Sequence, residues 1–127
     1  MILKWRWILS LSLAMMLIWC SAHAQESDKS DKPNQVASIK EVMIVAHKKG
    51  LIKKVAIGKA AAGEKKRLLE LYNALAKFEP PKGDKKSWKK RTGQLVAAAK
   101  AAVEGTEGYS RKLLKASDCT SCHKAHK

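Results

Sequence analysis

The sequence predicts an all-α protein, arranged as an antiparallel four-helix bundle. Apolar residues recur at helical spacing in four successive stretches, and no stretch alternates between apolar and polar residues as a strand would. Glycine or proline follows three of these stretches, at Gly58, Pro80-Pro81 and Gly105. Because the connections are short, consecutive helices are expected to pack side by side and run in opposite directions.

The first helix is predicted over residues 39–57. Ser38 and Glu41 have the spacing of a capping box, in which the serine accepts from the backbone N–H of Glu41 and the glutamate reaches back. Gly58 marks the predicted end. Gly50 lies inside this helix, where glycine costs about 1 kcal/mol relative to alanine, so we expect a close approach of another group there.

Three further helices are predicted, over residues 64–78, over residues 85–104, and from Tyr109 to beyond Cys122. The side chains expected to face the core are Leu68, Leu71, Tyr72, Leu75 and Phe78 in the second helix, Trp88, Leu95, Val96, Ala99 and Val103 in the third, and Leu113, Ala116 and Thr120 in the fourth. The lysine and arginine clusters at 53–54, 65–67 and 89–91 are expected to face solvent.

Residues 1–24 have the order of a signal peptide. Lys4 and Arg6 precede an apolar run over residues 8–19, which is too short to span a bilayer comfortably. Ala22 and Ala24 then provide the small residues that a signal peptidase recognises. We therefore expect cleavage after Ala24, export to the periplasm and no stable membrane insertion afterwards.

Two alternatives for this segment stay open, an uncleaved membrane anchor and a lipoprotein modified at Cys20. The bulky Trp19 disfavours the lipoprotein, since lipoprotein signals require a small residue before the cysteine. Residues 25–37 are polar and aperiodic, which is typical of a disordered leader. The domain itself is then expected over residues 38–127.

The last nine residues are CTSCHKAHK, and they begin with the pattern Cys-x-x-Cys-His at Cys119, Cys122 and His123. This pattern is the attachment motif for c-type haem. Its spacing allows each thiol to add to one vinyl group of a single porphyrin, and the histidine then offers its imidazole to iron from one side. The sequence therefore predicts one covalently attached haem c, with His123 as the proximal ligand.

Other chemistry for this motif is weaker. A thioredoxin-type dithiol normally belongs to a βαβ pattern, and no strand is predicted. A zinc site would need Cys119, Cys122, His123 and His126 as ligands, and four ligands within eight residues leave the metal little room. A plain disulfide between the two cysteines is the third alternative.

The position of the motif at the end of a fourth helix resembles the class II cytochromes c, the cytochrome c′ family. The resemblance covers residues 38–127, and the family ends in Cys-x-x-Cys-His-x-x-aromatic-Arg. Here His126 takes the aromatic position and Lys127 replaces the arginine. The resemblance implies a four-helix bundle with haem attached near the end of the fourth helix. It also allows a homodimer, and any family role of the terminal guanidinium is in doubt because lysine lacks it.

The resemblance implies that the first helix covers the other face of the haem. Met43 and His47 are both competent iron ligands, and their spacing of four places them on one helix face, with Gly50 nearby. The sequence does not fix which of the two would bind. Core packing for Met43 and a surface position for His47 are the alternatives without a metal.

Two functions follow from the state of the iron. A sixth ligand predicts a low-spin electron carrier, whereas an open position predicts a five-coordinate protein that binds NO or CO; neither is an enzyme. The formal net charge of +15 suggests that the lysines keep the protein soluble or steer it towards an acidic redox partner. Polyanion binding is the alternative, but an exported chain is not expected to meet nucleic acid, which leaves an anionic envelope surface.

Overall fold

The computed structural model of the chain describes residues 35–127. The predicted signal peptide at 1–24 and residues 25–34 of the predicted leader lie outside the described residues. The helices are α1 (Ile39–Val42), a π-helical segment π1 (Met43–Lys48), α2 (Leu51–Ala56), α3 (Ala62–Lys77), α4 (Lys85–Glu104), α5 (Tyr109–Ala116) and α6 (Cys119–His126). No strand occurs between residues 35 and 127, which confirms the all-α prediction for this range.

The start of the first helix follows the predicted capping chemistry with one difference. Ser38 Oγ accepts a hydrogen bond from the backbone N–H of Glu41 at 3.2 Å. The Glu41 carboxylate accepts from the N–H of Ala37 at 2.8 Å, one residue before the expected partner. The bond to Ser38 satisfies a backbone donor that the first turn of a helix leaves free, and the bond from Ala37 fixes the residue before the cap.

The rest of the first predicted helix is not continuous, so that prediction is wrong. The N–H of Lys49 bonds to the carbonyl of Ile44, five residues earlier, at 2.8 Å. Gly50 then takes the left-handed conformation, with φ of 75°, and α2 begins after it. A Cβ at Gly50 would meet nothing within 4 Å, so the glycine serves the backbone conformation and not a close approach.

Helices α3 and α4 match their predicted positions closely and pack against each other. Helix α4 has the predicted bounds, with the Asp84 carboxylate accepting from the N–H of Ser87 at 2.7 Å to cap its start. The indole N–H of Trp88 donates to the carbonyl of Phe78 at 2.7 Å. This bond ties the start of α4 to the residue that ends α3.

The predicted fourth helix is divided into α5 and α6. Asp118 interrupts it, because its carboxylate accepts from the N–H groups of Thr120 and Ser121 at 3.1 and 3.3 Å and so caps a new helix. Leu113 is buried as predicted, whereas Thr120 is exposed and was wrongly assigned to the core.

The core draws on every helix from α1 to α5. Its buried residues are Val42, Ala46, Ile52, Val55, Ala56, Leu68, Leu71, Tyr72, Leu75, Trp88, Leu95, Ala98, Ala99, Ala102 and Leu113. The many alanines among them let helices approach closely but bury little apolar area each.

The two ends of the α5–α6 stretch are fastened to different helices. At its start, the hydroxyls of Tyr109 and Ser110 donate to the carbonyls of Val55 and Ala56 at the end of α2. At its end, His126 contacts the residues that begin α4. The stretch from α5 to α6 therefore ends beside the first residues of α4. Within residues 35–127, no helix is long and apolar enough to cross a membrane.

Candidate haem site

The Cys-x-x-Cys-His motif forms the first turns of α6. Cys119 is exposed and Cys122 is half-buried, where its side chain packs against the core. A spacing of three places both cysteines on one side of a helix. Both thiols are free within the described residues. The structure therefore offers two neighbouring thiols on one face of α6, followed by the exposed imidazole of His123.

The end of α6 is held by His126, a residue that is only 3% exposed. Its Nδ1 lies 3.1 Å from the carbonyl oxygen of Lys82, and its Nε2 lies 3.2 Å from Oγ of Ser87. A carbonyl can only accept, so Nδ1 carries the proton and Nε2 accepts from the serine hydroxyl when the ring is neutral. Both ring nitrogens of His126 are thus already used.

This arrangement bears on the zinc alternative. Among the described residues, no group of three or more histidine, cysteine, aspartate or glutamate side chains is placed to hold a metal ion. His126 is directed towards the start of α4 instead of the two cysteines, so the four residues considered for zinc do not converge.

Arg91 connects helix α4 to the Cys-x-x-Cys-His motif. Its Nη1 donates to Oγ of Ser121, inside the motif, at 2.6 Å. Burial raises the pKa of the Cys122 thiol, the Arg91 charge opposes that rise, and the charges of Cys119 and Asp118 add to it. The guanidinium therefore both positions the motif and favours the thiolate of the less exposed cysteine.

Both candidate sixth ligands lie on the π-helical segment. π-Helical turns are rare and frequently occur at functional sites. Met43 is half-buried and packs against the core. Burial lowers the pKa of the His47 imidazole, and the nearby positive charge of His123 lowers it further. His47 thus lies within electrostatic reach of the predicted proximal ligand.

Tyr72 of α3 completes this neighbourhood. Its side chain is fully buried, and its hydroxyl has no hydrogen-bond partner in the described part of the chain. Its ring centroid lies 6.0 Å from that of His47, with 42° between the ring planes. Burial raises the pKa of the Tyr72 hydroxyl, and the negative charge of Cys119 raises it further.

Tyr72 lies in the core as predicted, but its unpaired hydroxyl was not anticipated. The only signal was one hydroxyl within a stripe of leucines, at Leu68, Leu71 and Leu75. Arg91 and Asp118 were also missed as supports of the motif, because each acts across a helix boundary that spacing alone does not show.

These residues fit a haem. Two free thiols on one face of α6 match the two vinyl groups, and the charge of His123 on α6 contributes to the lowered pKa of His47 on π1. The unpartnered hydroxyl of Tyr72 in the same neighbourhood is a second sign, because buried polar groups in proteins are nearly always hydrogen-bonded.

No protein-family model, no curated protein and no solved structure matches this chain.

Proposed function

We propose that this protein is an exported c-type cytochrome that transfers electrons through one covalently attached haem c. Thioethers from Cys119 and Cys122 would hold the haem, and His123 would bind its iron on the proximal side. Helical stretches over residues 39–56, 62–77, 85–104 and 109–126 would form an antiparallel bundle of the class II cytochrome c type. The motif on a capped helix and the all-helical chain support this assignment.

The observation that carries the proposal is the Cys-x-x-Cys-His motif on the capped helix α6, where both thiols are free within the described part of the chain. His123 follows the second cysteine of the motif on α6, and its charge lowers the pKa of His47 on π1. We infer that His47 is the sixth ligand and that Met43, packed on the core, supports its segment. Bound haem would supply an iron that changes between the ferric and ferrous states. A protein ligand on both faces favours electron transfer, because it leaves no open position for gas binding.

A basic cleft next to the motif is the proposed docking place for an acidic redox partner. It has a volume of about 480 Å³ and is lined by Asp84, Lys86, Ser87, Lys90, Arg91 and Gln94. The lysines Lys86 and Lys90 form no ion pair within the described residues, so their charges are available to a partner. Arg91 connects this cleft to Ser121, inside the attachment motif. Positive charges at these positions would speed the encounter with an acidic partner and orient it on this surface.

The test is the absorption spectrum of the protein produced in a host with c-type maturation. Covalent haem is first measured as the pyridine haemochrome, with the double variant Cys119→Ser, Cys122→Ser as the control that should lack it. Spectra of the oxidised, reduced, and reduced CO-treated protein then follow. The proposal expects a low-spin reduced spectrum that CO changes only slowly.

Single variants identify the ligand. His47→Ala should give a high-spin spectrum that responds to CO at once, whereas Met43→Ala should remain low-spin. The reverse result would make Met43 the ligand and leave electron transfer in place. A high-spin spectrum of the unmodified protein would favour the five-coordinate gas-binding alternative, and absence of covalent haem would overturn the cytochrome assignment.

A further inference from the structure

Two polar side chains lie next to each other without hydrogen bonds, Tyr72 on α3 and His47 on π1. The hydroxyl of Tyr72 is buried and has no partner, and the ring of His47 makes no hydrogen bond within residues 35–127. Elsewhere, the buried polar side chains Thr92 and His126 both have partners. The unpaired hydroxyl therefore stands out from the pattern in the rest of the described chain.

If His47 binds iron, its second ring nitrogen requires a hydrogen-bond acceptor. An imidazole that binds a metal through one ring nitrogen carries a proton on the other, and that N–H is almost always donated to an acceptor. A phenol oxygen is a suitable acceptor. The hydroxyl projects from the Tyr72 ring, and the ring centroids are 6.0 Å apart. The proposed bond requires the His47 side chain to turn so that one ring nitrogen faces that oxygen.

We propose that the Tyr72 hydroxyl accepts a hydrogen bond from the ring nitrogen of His47 that faces away from the iron, and so holds the imidazole as the sixth ligand. Tyr72 is thus a positioning residue, which acts on the iron only through His47. This inference rests on the proposed function. It explains why a hydroxyl occupies a position that leucine or phenylalanine would otherwise fill.

The experiment compares Tyr72→Phe with Tyr109→Phe in the haem-loaded protein. Both changes remove one phenol oxygen, but the hydroxyl of Tyr109 donates to Val55 at the end of α2 and has no part in the proposed pair. The readouts are haem content, the rate of CO binding to the reduced protein, and the midpoint potential. The last two report on the iron and would not respond to a purely structural change remote from it.

Tyr72→Phe should keep the haem content, raise the rate of CO binding roughly ten-fold and raise the midpoint potential, since the lost bond had made His47 a stronger donor to ferric iron. Tyr109→Phe should leave both values unchanged. In a His47→Ala background, Tyr72→Phe should have no further effect, because neighbouring groups that act together are not additive.

The remaining outcomes separate a failure of this inference from a failure of the proposed function. Unchanged CO binding and potential in Tyr72→Phe, with large changes in His47→Ala, would overturn this inference and leave the cytochrome assignment standing. An unchanged spectrum in His47→Ala would also overturn it. A wild-type protein without covalent haem would overturn the proposed function itself.

A second variant covers the case in which Tyr72→Phe fails to incorporate haem. The chain has two tyrosines, so difluorotyrosine supplied to Tyr109→Phe cells labels Tyr72 alone. Fluorination preserves the ring and weakens the oxygen as an acceptor, provided that the potential is measured at a pH that keeps the fluorinated phenol protonated. The potential should rise relative to unlabelled Tyr109→Phe, and no shift would overturn the inference.

Discussion

The imidazole of His126 meets the indole of Trp88 edge-on, with 5.3 Å between the ring centroids and 74° between their planes. The contact joins the last turn of α6 to the first turn of α4. An edge-to-face pair is a favourable arrangement of aromatic rings. Under the proposed assignment to the class II cytochromes c, His126 takes the position where that family has an aromatic residue. The structure shows that the histidine also packs as one, while its two nitrogens bind the neighbouring backbone and a serine.

His126→Phe should lower the free energy of unfolding by about 1–3 kcal/mol. Phenylalanine keeps a ring against Trp88 but leaves the Lys82 carbonyl and the Ser87 hydroxyl without their partner. Guanidinium unfolding followed by Trp88 fluorescence measures the change, since Trp88 is the sole tryptophan after residue 24. Lys124→Ala, on the exposed face of α6, is the control with little expected effect. Equal stability of His126→Phe and the unmodified protein would show that the two hydrogen bonds contribute nothing.

Gly83→Ala should be strongly destabilising, by more than about 2 kcal/mol. Gly83 has φ of 85°, and a Cβ there would overlap the carbonyl oxygen of Ala125 and lie 2.9 Å from Nδ1 of His126. Backbone strain alone costs about 1–3 kcal/mol at such a position, and α6 must also move away. The same unfolding measurement applies.

Gly93→Ala provides the matched control for that change. Gly93 lies inside α4, and an added Cβ meets nothing within 4 Å. Alanine should therefore stabilise the helix by about 0.5–1 kcal/mol. Opposite signs for the two glycines are expected, and a loss of similar size at both would contradict the proposed contact between Gly83 and α6.

The sequence predicted α3 and α4 well because prolines mark the end of α3 and local signals mark both ends of α4. Asp84 and Gly105 bound α4, and the pattern between them is long and regular. The breaks in the first and fourth predicted helices had weaker signals. Gly50 was interpreted as a site of close approach, although its left-handed conformation ends one helix and begins another. Asp118 lay inside an apolar pattern that continued on both sides of it.

The candidate site was predictable only in its covalent part. Cys119, Cys122 and His123 are adjacent in sequence, so their spacing carries the chemistry. His47 and Tyr72 come from different helices, and their proximity depends on how π1 and α3 pack. The π-helical turn that carries both Met43 and His47 also has no sequence signature of its own, which is why the spacing of four was interpreted on an α-helix.

Tyr72→Phe should leave the haem-free polypeptide as stable as before, or more stable by up to about 1 kcal/mol. Its hydroxyl is buried without a partner, so its removal loses no hydrogen bond and avoids the desolvation of a polar group. Tyr109→Phe should instead lose about 0.5–1.5 kcal/mol, because that hydroxyl donates to the Val55 carbonyl. Urea unfolding of the double variant Cys119→Ser, Cys122→Ser provides the haem-free background. A clear loss for Tyr72→Phe would reveal a partner for its hydroxyl.

The carboxylate of Glu64 should make stability depend on acid pH. Its hydrogen bond from Lys54 Nζ at 2.6 Å lowers the pKa of Glu64, and the bond from the N–H of Ala61 at 2.9 Å lowers it further. The folded chain therefore binds this proton less readily than the unfolded chain. The resulting stabilisation is present above the ordinary glutamate pKa of 4.5 and is lost as pH falls through the lower folded value.

Glu64→Gln tests this sign. At pH 7 the melting temperature of the variant should be below that of the unmodified protein, and this gap should close as pH falls below the ordinary glutamate pKa of 4.5 and through the lower folded value. Added salt should narrow the gap at pH 7, because the pair with Lys54 lies at the surface. Glu104→Gln is the control, since its carboxylate lies 3.9 Å from Lys100 and should contribute less. A gap that stays constant from pH 7 to pH 3 would mean that the glutamate acts through its shape and not its charge.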